Sequence, residues 1–250
     1  MTTHTIPKDK RFAVRLNMLI MRGTQHWLRI VLILVSIYVA LPFVAPVLMK
    51  AGVTGPAKII YTAYSPFCHQ FAFRSFFLFG EQTAYPRGNT GTDLRSFEEY
   101  ARDLPEFADL NYADPNSFDR ELIFSARGFI GNEQLGYKLT LCERDISIYT
   151  AILVGGLLYV RVRRRLRPAP IWLYVILGLG PIGLDGFSQL LGYPPFNFWP
   201  PRETLPIFRV VTGALFGLMN VWLAFPYLEE YMQDTHHSIK NKLRRAGIDF

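Results

Sequence analysis

Apolar residues in this chain gather into long blocks separated by charged stretches, a pattern unlike the short alternations of a soluble sheet protein. Four blocks are long enough to cross roughly 30 Å of hydrocarbon as helices. They are "WLRIVLILVSIYVALPFVAPVLM" at 27–49, "ISIYTAILVGGLLYVR" at 146–161 (extended at its front end), "IWLYVILGLGPIGLDGFSQLLG" at 171–192 and "PIFRVVTGALFGLMNVWLAFPYL" at 206–228. The first begins too late and runs too long for a signal-peptide core, and no small-x-small cleavage site follows it. The pattern predicts an all-α membrane protein built as a four-span transmembrane helical bundle. The charged tail, 229–250, is expected to continue span four as a helix.

Residues 59–80 are also long enough to cross, and charge placement decides how to read them. Basic residues cluster at Lys8, Lys10, Arg11, Arg15 and Arg22, in "RVRRRLR" at 161–167, and at Lys240, Lys242, Arg244 and Arg245. Four crossings put all three clusters on the cytoplasmic side, as positive-inside topology requires, whereas a fifth crossing at 59–80 strands the middle one outside. Pro66 and the polar Cys68, His69, Gln70 and Arg74 suit a re-entrant or interfacial element better than a lipid-facing helix. The expected arrangement is therefore a cell-membrane, multi-pass protein with both termini cytoplasmic. Its divisions are a basic N-terminus (1–26), a first span with an outer re-entrant or interfacial helix (27–80), an extracytoplasmic helical insert (81–140), three further spans (141–228) and the tail.

The insert carries six basic and eleven acidic residues, first of all a solvated face. "TDLRSFEEYARDL" spaces Leu94, Phe97, Tyr100 and Leu104 as a helix with Thr92 or Asp93 as cap, and "DPNSFDRELIFSARG" offers Asp114 as cap, Pro115 in the first turn and Gly128 as a stop.

Chemistry-bearing residues from separate segments fall at one depth under this topology: Cys68, His69, Gln70 and Arg74 before the insert, Cys142, Arg144 and Asp145 at the mouth of span two, Asp185 and Gln189 in the outer half of span three, and Arg209 just inside span four. An acid at that depth needs a partner, and Arg209 and Arg74 are the evident candidates for Asp185. Asp145 favours its own helix dipole. The cysteines have three readings. A Cys68–Cys142 disulfide would close a loop of about 75 residues, worth roughly 4 kcal/mol in the chain-entropy model. A metal set of Cys68, His69, Cys142 and Asp185 or Asp145 suits zinc, although neighbouring Cys and His side chains point apart in a helix or strand. Reduced packing cysteines are the third. The disulfide is placed ahead of the metal.

The net charge of +7 does not point to nucleic acid, because the basic clusters flank apolar spans and no aromatic-and-basic surface pattern accompanies them. Walker, H-E-x-x-H and serine-elbow motifs are absent from the sequence, and the glycines of "GLGPIG" lie inside the third apolar block, where close helix packing is the default reading. Gly213-x-x-x-Gly217 reads as close helix packing, Pro181 as a kink in span three, and His236-His237 as solvated.

The ordered set "CHQ", "RSFFLFG", C-x-R-D-x-x-I-Y, "DGFSQ" and R-x-x-TG-x-x-x-G resembles a prokaryotic family of predicted membrane proteins, domain of unknown function 2085, over about 65–80 and 131–218. The resemblance groups Cys68, His69, Gln70, Arg74, Ser75, Cys142, Arg144, Asp145, Asp185, Gly186, Gln189, Arg209, Thr212 and Gly213 without naming a reaction. This chain departs by the long insert between Gly80 and the second cysteine.

The expected function is that of a non-catalytic accessory or ligand-binding membrane protein with a Cys/His/Asp/Arg cluster at its outer face. The alternative is a metal- or thiol-dependent enzyme acting on a lipid or quinone-like substrate at the outer leaflet. Expected partners are the lipid bilayer and other membrane subunits or further copies of the chain, with no nucleic acid.

Overall fold

A computed structural model describes residues 11–108, 120–163 and 165–248. Four helical stretches are long and apolar enough to cross a membrane: α1 (Arg11–Lys50), α5 (Glu143–Val162), the composite Ile171–Leu190 and α8 (Pro206–Arg245). This is the all-α membrane architecture expected. At 1.5 Å per residue, the 40-residue α1 and α8 are each about 60 Å long, well beyond the hydrocarbon thickness. Their surplus lies at one end of the bundle. There Val14 and Met21 of α1 pack on Leu243 of α8, so the tail does continue as helix. Val39, Ile146 and Arg209 lie at the other end, where the rest of the chain is attached.

The apolar side chains that remain exposed run along the spans, for example Ile33, Leu34 and Ile37 on α1 and Leu157 and Leu158 on α5. A soluble protein would bury such stripes; a bilayer solvates them. In the middle of the bundle Trp27, Leu28, Tyr159, Val221 and Phe225 form a dry core. Glu229 is buried beside it, accepting from Trp27 Nε1 at 2.9 Å, Arg163 Nε at 2.7 Å and Gln233 Nε2 at 2.7 Å.

Close approach of α5 and α8 depends on missing side chains. A Cβ at Gly217 would overlap the Ile148 carbonyl oxygen and come within 2.9 Å of Ala151 Cβ. One at Gly213 would stand 2.8 Å from the Arg144 carbonyl oxygen. The small-x-x-x-small reading therefore describes a real backbone contact. The third span is α6 (Ile171–Leu173), a π-helical turn (Tyr174–Leu179) and α7 (Gly180–Leu190). The wide turn directly precedes Pro181, whose missing N–H and bulky ring disturb a regular α ladder.

Residues 59–80 do not form a fifth spanning helix. α2 (Thr54–Tyr64) has 11 residues, about 16 Å, and packs against α1 before the chain turns irregular at Ser65–Phe71. It then enters β1 (Phe77–Leu78), which pairs antiparallel with β3 (Gly136–Lys138), itself paired with β2 (Gly131–Asn132). This small sheet was not anticipated. It clips the two ends of the insert together, with Tyr85, Phe97, Tyr100, Phe107, Leu122 and Phe129 packed into the insert's own core. Gly136 adopts φ +74°, and its missing Cβ lets the backbone at Leu78 and Gly80 pass directly over it.

Within the insert, the cap of α3 (Phe97–Ala101) is Ser96, whose Oγ accepts from Glu99 N–H at 3.3 Å, and not Thr92 or Asp93. Ser96-x-x-Glu99 has the capping-box sequence, and the Ser96 hydroxyl, besides accepting from Glu99 N–H, donates to Glu99 Oε1 at 3.2 Å; the helix starts there and leaves Leu94 exposed. α4 (Arg120–Gly128) ends on the expected glycine, while Asp114 and Pro115 lie outside the described residues.

Candidate functional site

At the insert end of the bundle, a cavity of about 390 Å³ is lined by Phe67, Cys68, His69, Gln70, Phe71, Arg74, Cys142, Arg144, Asp145, Gln189 and Arg209. Four chain segments supply these residues. The turn after α2 brings Cys68 to Arg74, the first turn of α5 brings Cys142 to Asp145, α7 brings Gln189, and α8 brings Arg209.

Local chemistry fixes each contribution. Gln70 sits at φ +54°, a conformation that side chains seldom adopt, and three contacts hold it. Its Nε2 donates to the Tyr61 carbonyl at 2.9 Å, its carbonyl accepts from Lys138 Nζ at 2.6 Å, and its N–H points at Cys68 Sγ at 3.5 Å. Lys138 is fully buried with no carboxylate beside it among the described residues. Its ammonium donates to the carbonyls of Gln70, Arg127 (2.7 Å) and Ala126 (3.5 Å), and burial pulls its pKa down to about 7. The Cys142 N–H donates to Cys68 Sγ at 3.1 Å, across 74 residues of sequence.

The two sulfur atoms and a carboxylate oxygen of Asp145 lie within 4.8 Å of one another. Both cysteines are free thiols in this structure, so the expected disulfide is not formed. The thiols are unequal. A hydrogen bond from the Cys142 thiol holds Cys68 below the ordinary thiol range, against burial and Asp145, while Cys142, which gives that bond and is buried, is pushed well above it.

The ligand set Cys68, His69, Cys142 and Asp185 is not assembled. His69 is exposed and stacks on Phe71 with ring centroids 5.3 Å apart, as adjacent side chains pointing opposite ways require. Asp185 has both oxygens engaged, by Arg144, by Arg202 at 3.4 Å and by the Thr204 hydroxyl. Of the two carboxylates expected beside the cysteines, Asp145 is the one that stands there.

The partners proposed for Asp185 are also different. Arg74 and Arg209 both go to Glu203, which accepts from Arg74 Nε at 3.1 Å and from the Tyr193 hydroxyl at 2.9 Å, besides direct bonds from the two guanidinium groups. Arg209 Nη1 also reaches Glu143 at 3.4 Å. Glu203, Arg209 and Glu143 are 5 %, 4 % and 1 % exposed, so this is an ion network removed from water. Burial alone would raise the Glu203 pKa, but Arg74 and Arg209 hold it at about 2. Glu203 carried no sequence signal beyond being an acid in the proline-rich loop "WPPRETLP". Its only clue was the two buried-depth arginines that lacked enough acids. Arg144 Nε and Glu143 Oε1 are buried with no hydrogen-bond partner among the described residues.

A second cavity, about 590 Å³, lies along the other flank of the first turns of α5. Its lining is almost wholly apolar, including Phe43, Phe76, Leu139, Ile146, Val154, Val210 and Leu218.

Comparison with known proteins bears on these segments unevenly. Residues 132–223 match the family model described as "Predicted membrane protein (DUF2085)". The motif resemblance to DUF2085 therefore stands. The DUF2085 match takes in β3, α5 to α7 and the first half of α8, and so Cys142, Arg144, Asp145, Asp185, Gln189 and Arg209; the Cys68–Arg74 turn lies outside it. The chain is also similar to an uncharacterized protein of Methanocaldococcus jannaschii, MJ1492, being 31% identical over 97 residues, which is 38% of this chain and 56% of that protein. The chain thus spans about half the length of the curated relative it matches. No solved structure matches.

Proposed function

We propose that this membrane protein binds a small polar ligand in the cavity between the α2–β1 turn and the first turns of α5 and α8, without catalysing a reaction, and that the cavity opens on the extracytoplasmic side. The observation that carries the reading is the cavity's construction: four separate segments deliver polar side chains to one concave site, with the guanidinium groups of Arg74 and Arg209 held by the buried Glu203 and that of Arg144 by the half-buried Asp185. Such pre-organised polar groups in a concave site are what a ligand needs for orientation. An unpartnered Arg144 Nε beside it is a donor still to be used.

Sidedness follows from charge. Arg11, Arg15 and Arg22 of α1, Arg161, Arg163, Arg165 and Arg167 at and after the end of α5, and the basic residues of the α8 tail occupy the end opposite the cavity, which positive-inside topology assigns to the cytoplasm together with both termini. The alternative of a thiol-dependent enzyme on a lipid or quinone-like substrate is favoured by one feature, the almost wholly apolar 590 Å³ cavity on the far flank of α5, which would suit a hydrocarbon chain.

Labelling tests the reading. His69→Cys, at an exposed position, should react with a membrane-impermeant maleimide in intact cells, and Lys242→Cys on the tail only after permeabilisation. The reverse pattern would contradict the assigned sides.

A further inference from the structure

Two thiols and a carboxylate meeting at the floor of a polar cavity have a specific inorganic chemistry. We infer that Cys68, Cys142 and Asp145 form a binding site for a thiophilic divalent cation of the zinc class, with the fourth coordination position facing the cavity. The inference deepens the reading of the cavity as a binding site, and it does not depend on which side of the membrane the cavity faces.

Geometry supports it first. The three ligand atoms lie within 4.8 Å of one another. In a tetrahedral site with metal–sulfur bonds of about 2.3 Å, ligand atoms stand roughly 3.5–3.8 Å apart, so a contraction of about 1 Å closes the site. Cys142 is the residue preceding α5 and Asp145 lies in its first turn, three positions on, which puts both side chains on one face of the helix start. Cys68 comes from a different part of the chain and is fixed by its own supports: the Cys142 N–H at 3.1 Å, the Gln70 N–H at 3.5 Å, and the Gln70 peptide pinned by Tyr61 and Lys138. Outer contacts of this kind orient metal ligands before the ion arrives.

Charge supports it second. Four guanidinium groups (Arg74, Arg144, Arg202, Arg209) face four carboxylates (Glu143, Asp145, Asp185, Glu203) in and beside the cavity. With all eight ionised these groups sum to zero, and Lys138, whose ammonium donates to the Gln70 carbonyl, adds one further positive charge when protonated. A divalent cation that binds two thiols displaces their two protons, and the dithiolate complex adds no net charge to a site surrounded by low dielectric. The ion therefore enters without leaving an uncompensated charge. His69 and Asp185 take no part; a water or ligand atom from the cavity completes the shell.

The test uses the full chain, purified in detergent without metal or chelator and under reducing, anaerobic conditions. Elemental analysis should find one zinc per chain. Cobalt(II) added to the metal-stripped protein should give a sulfur-to-cobalt charge-transfer band with tetrahedral visible absorption. Cys68→Ser and Cys142→Ser should each cut the charge-transfer intensity to about half, and the double variant should abolish it. Asp145→Asn, which keeps the side chain's shape and guards against misfolding of the cysteine variants, should weaken cobalt affinity at least about 100-fold. His69→Ala should bind as the parent does, and loss of binding there would overturn the open fourth position. A reduced, folded parent that binds no cobalt, or a Cys68–Cys142 disulfide in protein trapped directly from membranes, would overturn the site. Either failure leaves the labelling result untouched, so the metal site and the assigned sides fall separately.

Discussion

Glu203→Gln should lower the stability of the detergent-solubilised protein by about 3–5 kcal/mol, the range for removing one partner from a buried ion network. Glu203 is the sole acid that joins Arg74 of the α2–β1 turn to Arg209 of α8 among the described residues, and it also accepts from Tyr193. Losing its charge leaves Arg209, 4 % exposed, with only the 3.4 Å contact to Glu143. The glutamine keeps the volume, so the loss reports charge and not a void. The same bond predicts a pH effect of definite sign. Arginine neighbours depress the folded pKa of Glu203 to about 2, below its ordinary 4.5. Its contribution is therefore fully present above about pH 4.5 and disappears as pH falls towards 2. Thermal midpoints across that window should fall more steeply for the parent than for Glu203→Gln. Parallel slopes would show that Glu203 holds no special bond.

Gly217→Ala should destabilise the bundle by about 1–3 kcal/mol, and Gly217→Leu by more, although both substitutions raise helix propensity and hydrophobicity. The added Cβ overlaps the Ile148 carbonyl oxygen, which is backbone and has no rotamer to escape into. α5 and α8 must then separate. Ile148 lies one turn beyond Asp145, so that separation also moves the ligand-bearing first turn of α5 away from Arg209. Gly183→Ala is the matching control. A Cβ there meets nothing within 4 Å, and its stability should stay within about 0.5 kcal/mol of the parent. Equal effects at the two glycines would refute the close-packing account.

Legibility in the sequence tracked the range of the physics involved. Spanning helices were readable because hydrocarbon thickness acts on contiguous residues: α5, Ile171–Leu190 and α8 contain or closely match the predicted blocks. Hydropathy fixes length less well once a helix leaves the bilayer, which is why α1 starts at Arg11 and not at Trp27. The meeting of Gln70, Arg74, Arg144, Asp145, Gln189 and Arg209 around one cavity followed from depth alone, since charge sets depth and depth is a one-dimensional quantity.

Pairing within that layer is a two-dimensional question, and there the sequence was silent. Asp185 was matched to Arg74 or Arg209 because Glu203, hidden in a loop, could not be placed at the same level. The three-stranded sheet escaped for a related reason. β1 and β2 have two residues each and β3 three, too short for alternation to register, and their pairing spans the whole insert. Ser96-x-x-Glu99 is legible in the sequence, but the apolar spacing that begins at Leu94 places the helix start too early, at Thr92 or Asp93.

Cys68 and Cys142, 74 residues apart in sequence, are neighbours at one end of the membrane bundle. The most direct measurement is cross-linking in native membranes, after chelation of metal, with a thiol-to-thiol reagent of span no greater than about 5 Å. Peptide mass mapping should then recover Cys68 joined to Cys142 within a single chain in high yield. Recovery of the two cysteines singly modified, or joined only between chains, would contradict it.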